Sequence, residues 1–131
     1  MDTIFTKIIN KEIPAYIIAE DNNNIAFLDI APLAKGHVLI VPKKQVDYIF
    51  DLEDEAFTSL HIFSKKIAKA IEKTISCERI GVAVIGLEVP HAHIHLVPIN
   101  NVNDIDFSKE KLSFSTEELT NITNSIKANL A

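Results

Sequence analysis

The side chains best suited to chemistry in this sequence are three histidines at alternate positions, His91, His93 and His95. In a β-strand, alternate side chains point to the same face and repeat about every 6.6 Å, so this spacing would line up three imidazoles. The residues that alternate with them are apolar and would enter the core: Ala92, Ile94 and Leu96. Because buried imidazoles need hydrogen-bond partners and ordinary cores avoid them, the pattern indicates a functional site.

Two kinds of chemistry fit such a cluster. A metal ion would need a ligand beyond the three histidines, and the candidates are Asp29, Glu88 and His37. Alternatively, one imidazole could act as a nucleophile, with one nitrogen free toward the substrate and the other donating to a fixed acceptor that sets the tautomer. The residues alone leave both possibilities open.

The elements that must position these histidines follow from the hydrophobic pattern. Apolar residues at helical spacing predict a short helix between Phe5 and Pro14 and a long helix from after Asp51 to about Ser76. Runs of β-branched and apolar residues predict five strands, at residues 16–19, 25–28, 37–41, 80–85 and 89–98. Near the end of the sequence, Ser115 and Glu118 have the spacing of a capping box and predict a C-terminal helix.

These elements predict an α+β fold. We expect a sheet of about five antiparallel strands with a long helix on one face, a short N-terminal helix and a C-terminal helix. A length of 131 residues suits a single domain over 1–131, in which residues 99–131 form a C-terminal connector and helix.

Composition narrows the range of partners. The net charge is -5 and the lysines are scattered, which disfavours a nucleic acid duplex. The single cysteine, Cys77, cannot form an intrachain disulfide, and no apolar run approaches the roughly 20 residues needed to span a bilayer. We therefore expect a cytoplasmic protein with no membrane partner.

The run from His91 to Val97 resembles the signature of the histidine triad family, in which three histidines alternate with apolar residues. The resemblance extends to blocks in the same order at residues 4–15, 26–30 and 36–43, and in all it covers about two-thirds of the chain. It implies the nucleotide-binding and hydrolase branch of that family. Members of this branch cleave a nucleoside monophosphate from a phosphoramidate or phosphoester leaving group through a covalent nucleotidyl-histidine, without a cofactor.

The resemblance also implies roles for particular residues. His93 would be the nucleophile, while His91, His95 and His37 would hold its tautomer, contact phosphate oxygens and help to protonate the leaving group. Asp29 falls where the family binds ribose hydroxyls. The residues that fall where it encloses a purine are Ile4, Phe5, Phe27 and Ile30.

The resemblance further implies a homodimer and argues against a metal. The dimer interface would use the long helix and the strand at 80–85. Members that carry a structural zinc use cysteines near the opening helix and a histidine after Pro-Lys, whereas this chain has Asp2, Thr6 and Gln45 near those places. We therefore expect no metal and no other cofactor.

The segment before the triad departs from the family pattern. Leu87 stands where a glutamine is expected, and Glu88 replaces a position that is often serine or threonine. An anionic Glu88 would repel a phosphate unless it is protonated, turned away or acting as an acid. Two alternatives to an enzyme therefore stay open, a nucleotide-binding or regulatory module with little turnover and, less favoured, a histidine-ligated metal protein.

Overall fold

A computed structural model describes residues 1–130 as three helices and five strands. The helices are α1 (Ile4–Ile9), α2 (Asp54–Thr74) and α3 (Thr116–Ala128). The strands are β1 (Ile17–Glu20), β2 (Asn24–Leu28), β3 (Val38–Pro42), β4 (Arg79–Ala83) and β5 (Ile94–Ile99). They form one sheet in the order β1-β2-β3-β5-β4, with every neighbouring pair antiparallel. The predicted α+β class and the five-stranded antiparallel sheet are confirmed.

The two faces of the sheet are packed by different elements. The helix face packs against α2 and α3, and it is formed by Ile18, Ala26, Leu28, Val38, Ile40, Ala92, Ile94 and Leu96. The histidine face packs against α1, and it is formed by Ile25, Phe27, Leu39 and Val41 together with the three triad histidines. The two sets alternate along β2, β3 and the triad segment because successive strand side chains point to opposite faces.

Sequence patterns explain the two longer helices. Along α2, Leu60, Phe63, Ile67 and Ile71 recur every three or four residues and are buried against the sheet. The predicted capping box of α3 is present, since the Ser115 hydroxyl accepts from the Glu118 backbone N–H and the Glu118 carboxylate accepts from Ser115 N–H. None of the helices within residues 1–130 combines the length and the apolar character that a membrane crossing requires.

The predicted strand at residues 89–98 is wrong in its first half. Strand β5 begins only at Ile94, which pairs with Ile40 of β3. On the other side of β5, β4 ends at Ala83, opposite His95, and the chain between Ala83 and Ile94 loops away. The Ala92 backbone N–H donates to the Val46 carbonyl instead of to a strand neighbour. The alternation of buried apolar residues with histidines nevertheless continues through this segment, so the three imidazoles still share the histidine face.

Candidate active site

A cavity of about 560 Å³ opens on the histidine face. Its wall contains three of the predicted histidines, the segment before the triad and part of the C-terminal connector. The polar and charged residues that line it are Asp29, His37, Glu88, His93, His95 and Lys111. The cavity therefore combines imidazoles with two carboxylates and one ammonium group.

The hydrogen bonds of His93 fix its tautomer. Its Nδ1 lies 2.8 Å from the His91 carbonyl oxygen, which can only accept, so Nδ1 carries the proton and Nε2 carries the lone pair. The ring meets Phe5 edge-on with a centroid distance of 4.9 Å. Burial lowers the pKa of His93, although the bond to His91 and the charges of Asp29 and Glu88 oppose the shift. His93 is thus a neutral imidazole whose Nε2 carries a lone pair.

A second pair of histidines forms a hydrogen-bonded chain beside His93. The Leu33 backbone N–H donates to Nδ1 of His37 over 3.0 Å, so the His37 proton is on Nε2. That Nε2–H donates to Nδ1 of His95, 3.0 Å away, which leaves His95 with its proton on Nε2. Burial lowers the pKa of His37 to about 4, and burial with the nearby His93 and His37 lowers the pKa of His95 to about 3. Both rings are therefore neutral at physiological pH.

Asp29 lies against this pair, and the three side chains have the spacing of a metal site. One oxygen of Asp29 is 3.7 Å from Nε2 of His37, and burial raises the pKa of the Asp29 carboxyl. The donor atoms of Asp29, His37 and His95 all lie within 4.8 Å of one another. However, the Leu33 N–H keeps the proton of His37 on Nε2, the atom that would have to bind the metal. A metal ligand must be a deprotonated nitrogen, so this set does not fit a metal.

At the positions where zinc-carrying family members have their ligands, this chain has side chains of a different chemical type. The Thr6 hydroxyl donates to the Gln45 side-chain oxygen over 2.6 Å, and Asp2 is exposed. Zinc prefers thiolate and imidazole ligands, and these three residues supply a carboxylate, a hydroxyl and an amide. The donor set therefore does not fit zinc, and elemental analysis of untagged protein tests the prediction that no metal binds.

His91 lies behind the cavity instead of lining it. It is fully buried, its Nε2–H donates to the Pro42 carbonyl over 2.8 Å, and its Nδ1 accepts from the Thr3 hydroxyl over 3.1 Å. Burial lowers its pKa, against the hydrogen bond to Pro42. His91 therefore meets His93 through its backbone carbonyl, while its ring is held by partners outside the cavity.

The other residues predicted to lie at the substrate, whether near its phosphate or its purine, have different surroundings. Phe5 and Glu88 line the cavity, and Phe27 lies beneath Phe5 with a ring distance of 5.7 Å. Ile4 and Ile30 are 53% and 65% exposed, outside the residues that line the cavity. Their proposed contacts with a purine stay predictions.

Two residues of the site, Phe107 and Lys111, were not predicted from the sequence. The Phe107 ring packs edge-on against His95, with centroids 4.6 Å apart, and also against His37 at 6.1 Å. Lys111 is the one cationic side chain among the cavity residues found within 1–130. The connector that carries both is fastened where Leu112 N–H donates to the Pro32 carbonyl over 2.8 Å. No local motif marks these residues, since a tertiary contact brings a polar connector across the cavity.

Comparisons with known proteins match most of the chain to one family. The sequence model of the HIT domain matches residues 10–102. A HIT-like protein from Borreliella burgdorferi is 33% identical, and the alignment covers 98% of this chain and 99% of that protein. An adenosine 5'-monophosphoramidase of Saccharomyces cerevisiae is 40% identical over 72% of this chain and 61% of its own length.

Solved structures agree with the sequence matches. The crystal structure of a HIT-like protein from Bartonella henselae has a TM-score of 0.85 and 33% identity, and covers 98% of this chain and 97% of that one. All four histidines of the site lie within the residues that the HIT domain matches.

Proposed function

This chain belongs to the HIT family, and from that premise we propose that it is a nucleotide hydrolase or transferase that uses His93 as its nucleophile. The substrate would be a nucleoside phosphoramidate or phosphoester, cleaved through a covalent nucleotidyl-histidine. The Saccharomyces cerevisiae relative named an adenosine 5'-monophosphoramidase supports this choice of bond. A purine nucleotide or nucleotide conjugate would occupy the cavity.

The observation that carries the proposal is the tautomer of His93. A nucleophilic imidazole needs a lone pair facing the substrate and a fixed acceptor for its other proton. The 2.8 Å bond from Nδ1 to the His91 carbonyl meets the second requirement, and the lowered pKa of His93 keeps Nε2 unprotonated.

The reaction would proceed in two displacements at phosphorus. On substrate binding, the His37–His95 pair takes up one proton from solvent. In the first displacement, the Nε2 lone pair of His93 forms an N–P bond while the bond from phosphorus to the leaving group breaks, and the leaving group takes that extra proton, which leaves the pair neutral again. In the second, water forms a P–O bond, the N–P bond breaks and one proton of the water returns to that pair. The pair releases this proton to solvent when the product leaves, so one water is consumed and all histidines end in their starting state.

The hydrogen-bond chain favours His95 as the immediate proton donor. Its Nδ1 accepts from His37, so its proton sits on Nε2, and His95 lines the cavity next to His93 with ring centroids 4.9 Å apart. A bound phosphoryl group is anionic and raises the pKa of a nearby imidazole. The substrate would thereby allow the neutral pair to take up the extra proton that His95 then donates.

Trapping the intermediate tests the proposal. The protein is mixed with adenosine 5'-phosphoramidate, quenched with acid and digested, and peptides are analysed for an added adenylyl group by mass spectrometry. We expect the group on His93, and expect it to be absent in His93→Ala. The matched control is His61→Gln, an exposed histidine on α2, which should keep the adduct. Turnover by His93→Ala at the unaltered rate would refute the nucleophile assignment.

A second function, a nucleotide-binding module with little turnover, is favoured by the segment before the triad. Leu87 stands there in place of the glutamine of the family pattern, and both Leu87 and Glu88 line the cavity. This segment therefore lacks the amide that would donate a hydrogen bond to the charge developing on the phosphoryl group. Binding of adenosine monophosphate by calorimetry, together with absent turnover of the phosphoramidate and no trapped adduct, would favour this function over the enzyme.

We also propose a homodimer that uses β4 and α2. Strand β4 is at the edge of the sheet, where its backbone groups are free to pair with another strand. Val82 on this strand and Ile62 on α2 are 62% and 64% exposed. Light scattering should give the mass of a dimer for the unaltered chain and of a monomer for Val82→Lys. A monomer for the unaltered chain would refute the dimer.

A further inference from the structure

A cluster of polar side chains lies behind the cavity and joins the start of the chain to the triad. Thr3 is the N-cap of α1 and is buried, and its hydroxyl lies 3.1 Å from Nδ1 of His91. The neighbouring Thr6 hydroxyl donates to the side chain of Gln45. None of these four residues lines the cavity, so the cluster has no direct part in binding.

The direction of the bond from Thr3 to His91 follows from the other partners. The Pro42 carbonyl can only accept, so His91 carries its proton on Nε2 and its Nδ1 has a lone pair. The Thr3 hydroxyl must therefore donate to Nδ1. It also accepts from the Thr6 backbone N–H over 3.2 Å, so its oxygen is held from both sides. This arrangement gives both ring nitrogens of a fully buried imidazole a partner.

His91, whose ring accepts a hydrogen bond from Thr3, also orients the proposed nucleophile His93. The carbonyl oxygen of His91 accepts the Nδ1–H of His93 over 2.8 Å. We propose that Thr3 is a positioning residue for His93, because its hydroxyl fixes the ring of the residue whose carbonyl sets the direction of the nucleophilic nitrogen. This inference rests on the proposed function, since it assigns an effect on the His93 reaction.

Replacing Thr3 by valine would remove the donor while keeping the side-chain shape. The lone pair of His91 Nδ1 would then be buried without a partner, a state that proteins avoid, and the ring and its backbone would shift to find one. Two backbone bonds compete with this shift, from His91 N–H to Val89 and from Ala92 N–H to Val46. The experiment therefore decides whether the Thr3 hydroxyl or these two backbone bonds fix the position of the His91 carbonyl.

Kinetics of three variants make the first part of the test. For Thr3→Val we expect kcat to fall about tenfold, equivalent to about 1.4 kcal/mol of barrier, with KM within about twofold because the cavity wall is unaltered. Thr3→Ser keeps the hydroxyl and should restore kcat. The matched control Thr6→Val removes a hydroxyl from the same capping box but leaves the donor to His91, and should keep kcat within about twofold.

Nitrogen NMR of the imidazoles makes the second part and needs no turnover. In the unaltered protein His91 should show a pyridine-type Nδ1 and a protonated Nε2. In Thr3→Val the Nδ1 resonance should move toward that of a free pyridine-type nitrogen, and the His93 Nδ1–H signal should shift with it.

The outcomes separate this inference from the proposed function. A protonated Nδ1 on His91 in the unaltered protein overturns the inference without any variant. An unchanged His93 signal and an unchanged kcat in Thr3→Val overturn it too, as does an equal loss of kcat in Thr6→Val. If the expected NMR shifts are observed but the unaltered protein shows no turnover, the hydrogen-bond chain is supported and the proposed enzymatic function is refuted.

Discussion

The two faces of the sheet are packed with side chains of opposite character. The helix face is covered by the 21-residue α2 and the 13-residue α3, and its buried partners are nearly all aliphatic. The histidine face is covered by α1, which has six residues, and it carries the imidazoles of the triad and of His37 beside four apolar strand residues. The same strands supply both faces, because their side chains alternate.

This difference separates stability from chemistry. Apolar burial contributes free energy in proportion to area and needs no precise partners, which suits the broad helix face. Imidazoles need a partner for each nitrogen, and on the histidine face those partners are backbone groups, a threonine and other histidines. The narrow cover of α1 leaves room for the cavity. We therefore expect substitutions on the two faces to affect different measurements.

The largest effect expected is on turnover, from His95→Gln on the histidine face. Loss of the proton donor should lower kcat for an adenosine phosphoramidate by about 10²- to 10⁴-fold, with little change in the free energy of unfolding. An adenylate with a leaving group that departs as a stable anion, such as nitrophenolate, should be slowed much less. Steady-state kinetics with both substrates checks this. An equal loss for both substrates would show that His95 does not act as the acid.

The next effect is on stability, and a pair of isoleucines compares the faces directly. Ile67 on α2 is fully buried, and Ile67→Ala should lower the free energy of unfolding by about 2 to 5 kcal/mol. Ile8→Ala on α1 should cost no more than the low end of that range, because this helix is short and lies near the cavity, where water can fill the space. Urea denaturation measures both. If Ile8→Ala lowers the free energy of unfolding more than Ile67→Ala does, the helix face is not the main source of stability.

Much of this division is visible in the sequence. The alternation of Ala92, Ile94 and Leu96 with the histidines predicts that the segment has two faces, and periodicity predicts α2 and its buried stripe. The strand start at Ile94 was missed, because the alternation continues on the N-terminal side of the strand and only the pairing with β3 and β4 marks where the strand begins. Phe107 was missed because its contact with His95 spans a connector whose sequence has no periodicity. Thr3 resembles any helix cap, and its bond to His91 joins residues 88 positions apart.

A third effect is a loss of stability in mild acid that originates on the histidine face. His37 and His95 have pKa values of about 4 and about 3, below the ordinary 6.5. As the pH falls below about 6.5, these histidines become protonated in the unfolded chain but stay neutral in the native protein, so the free energy of unfolding must fall. Each such histidine contributes up to about 1.4 kcal/mol per pH unit.

Asp29 acts in the opposite direction, since burial raises its pKa, but it is one group against several. Denaturation in urea at pH 7, 6 and 5 should show a steadily lower midpoint. A midpoint that stays constant or rises toward pH 5 would mean that the imidazoles are not buried in neutral form.

The smallest effect expected comes from opening the histidine face to water with Phe107→Ala. The Phe107 ring packs against His95 and His37, and removing it should let water reach the pair and weaken the burial that depresses their pKa values. We expect the pKa of His95 to rise, as measured by NMR titration, while kcat at pH 7 changes only a few-fold. Phe114→Ala is the matched control, because Phe114 lies on the same connector but packs against the helix face. It should lower stability and leave the pKa of His95 unaltered. An equal pKa change in both variants would mean that connector order, and not the ring over the histidines, keeps this pair neutral.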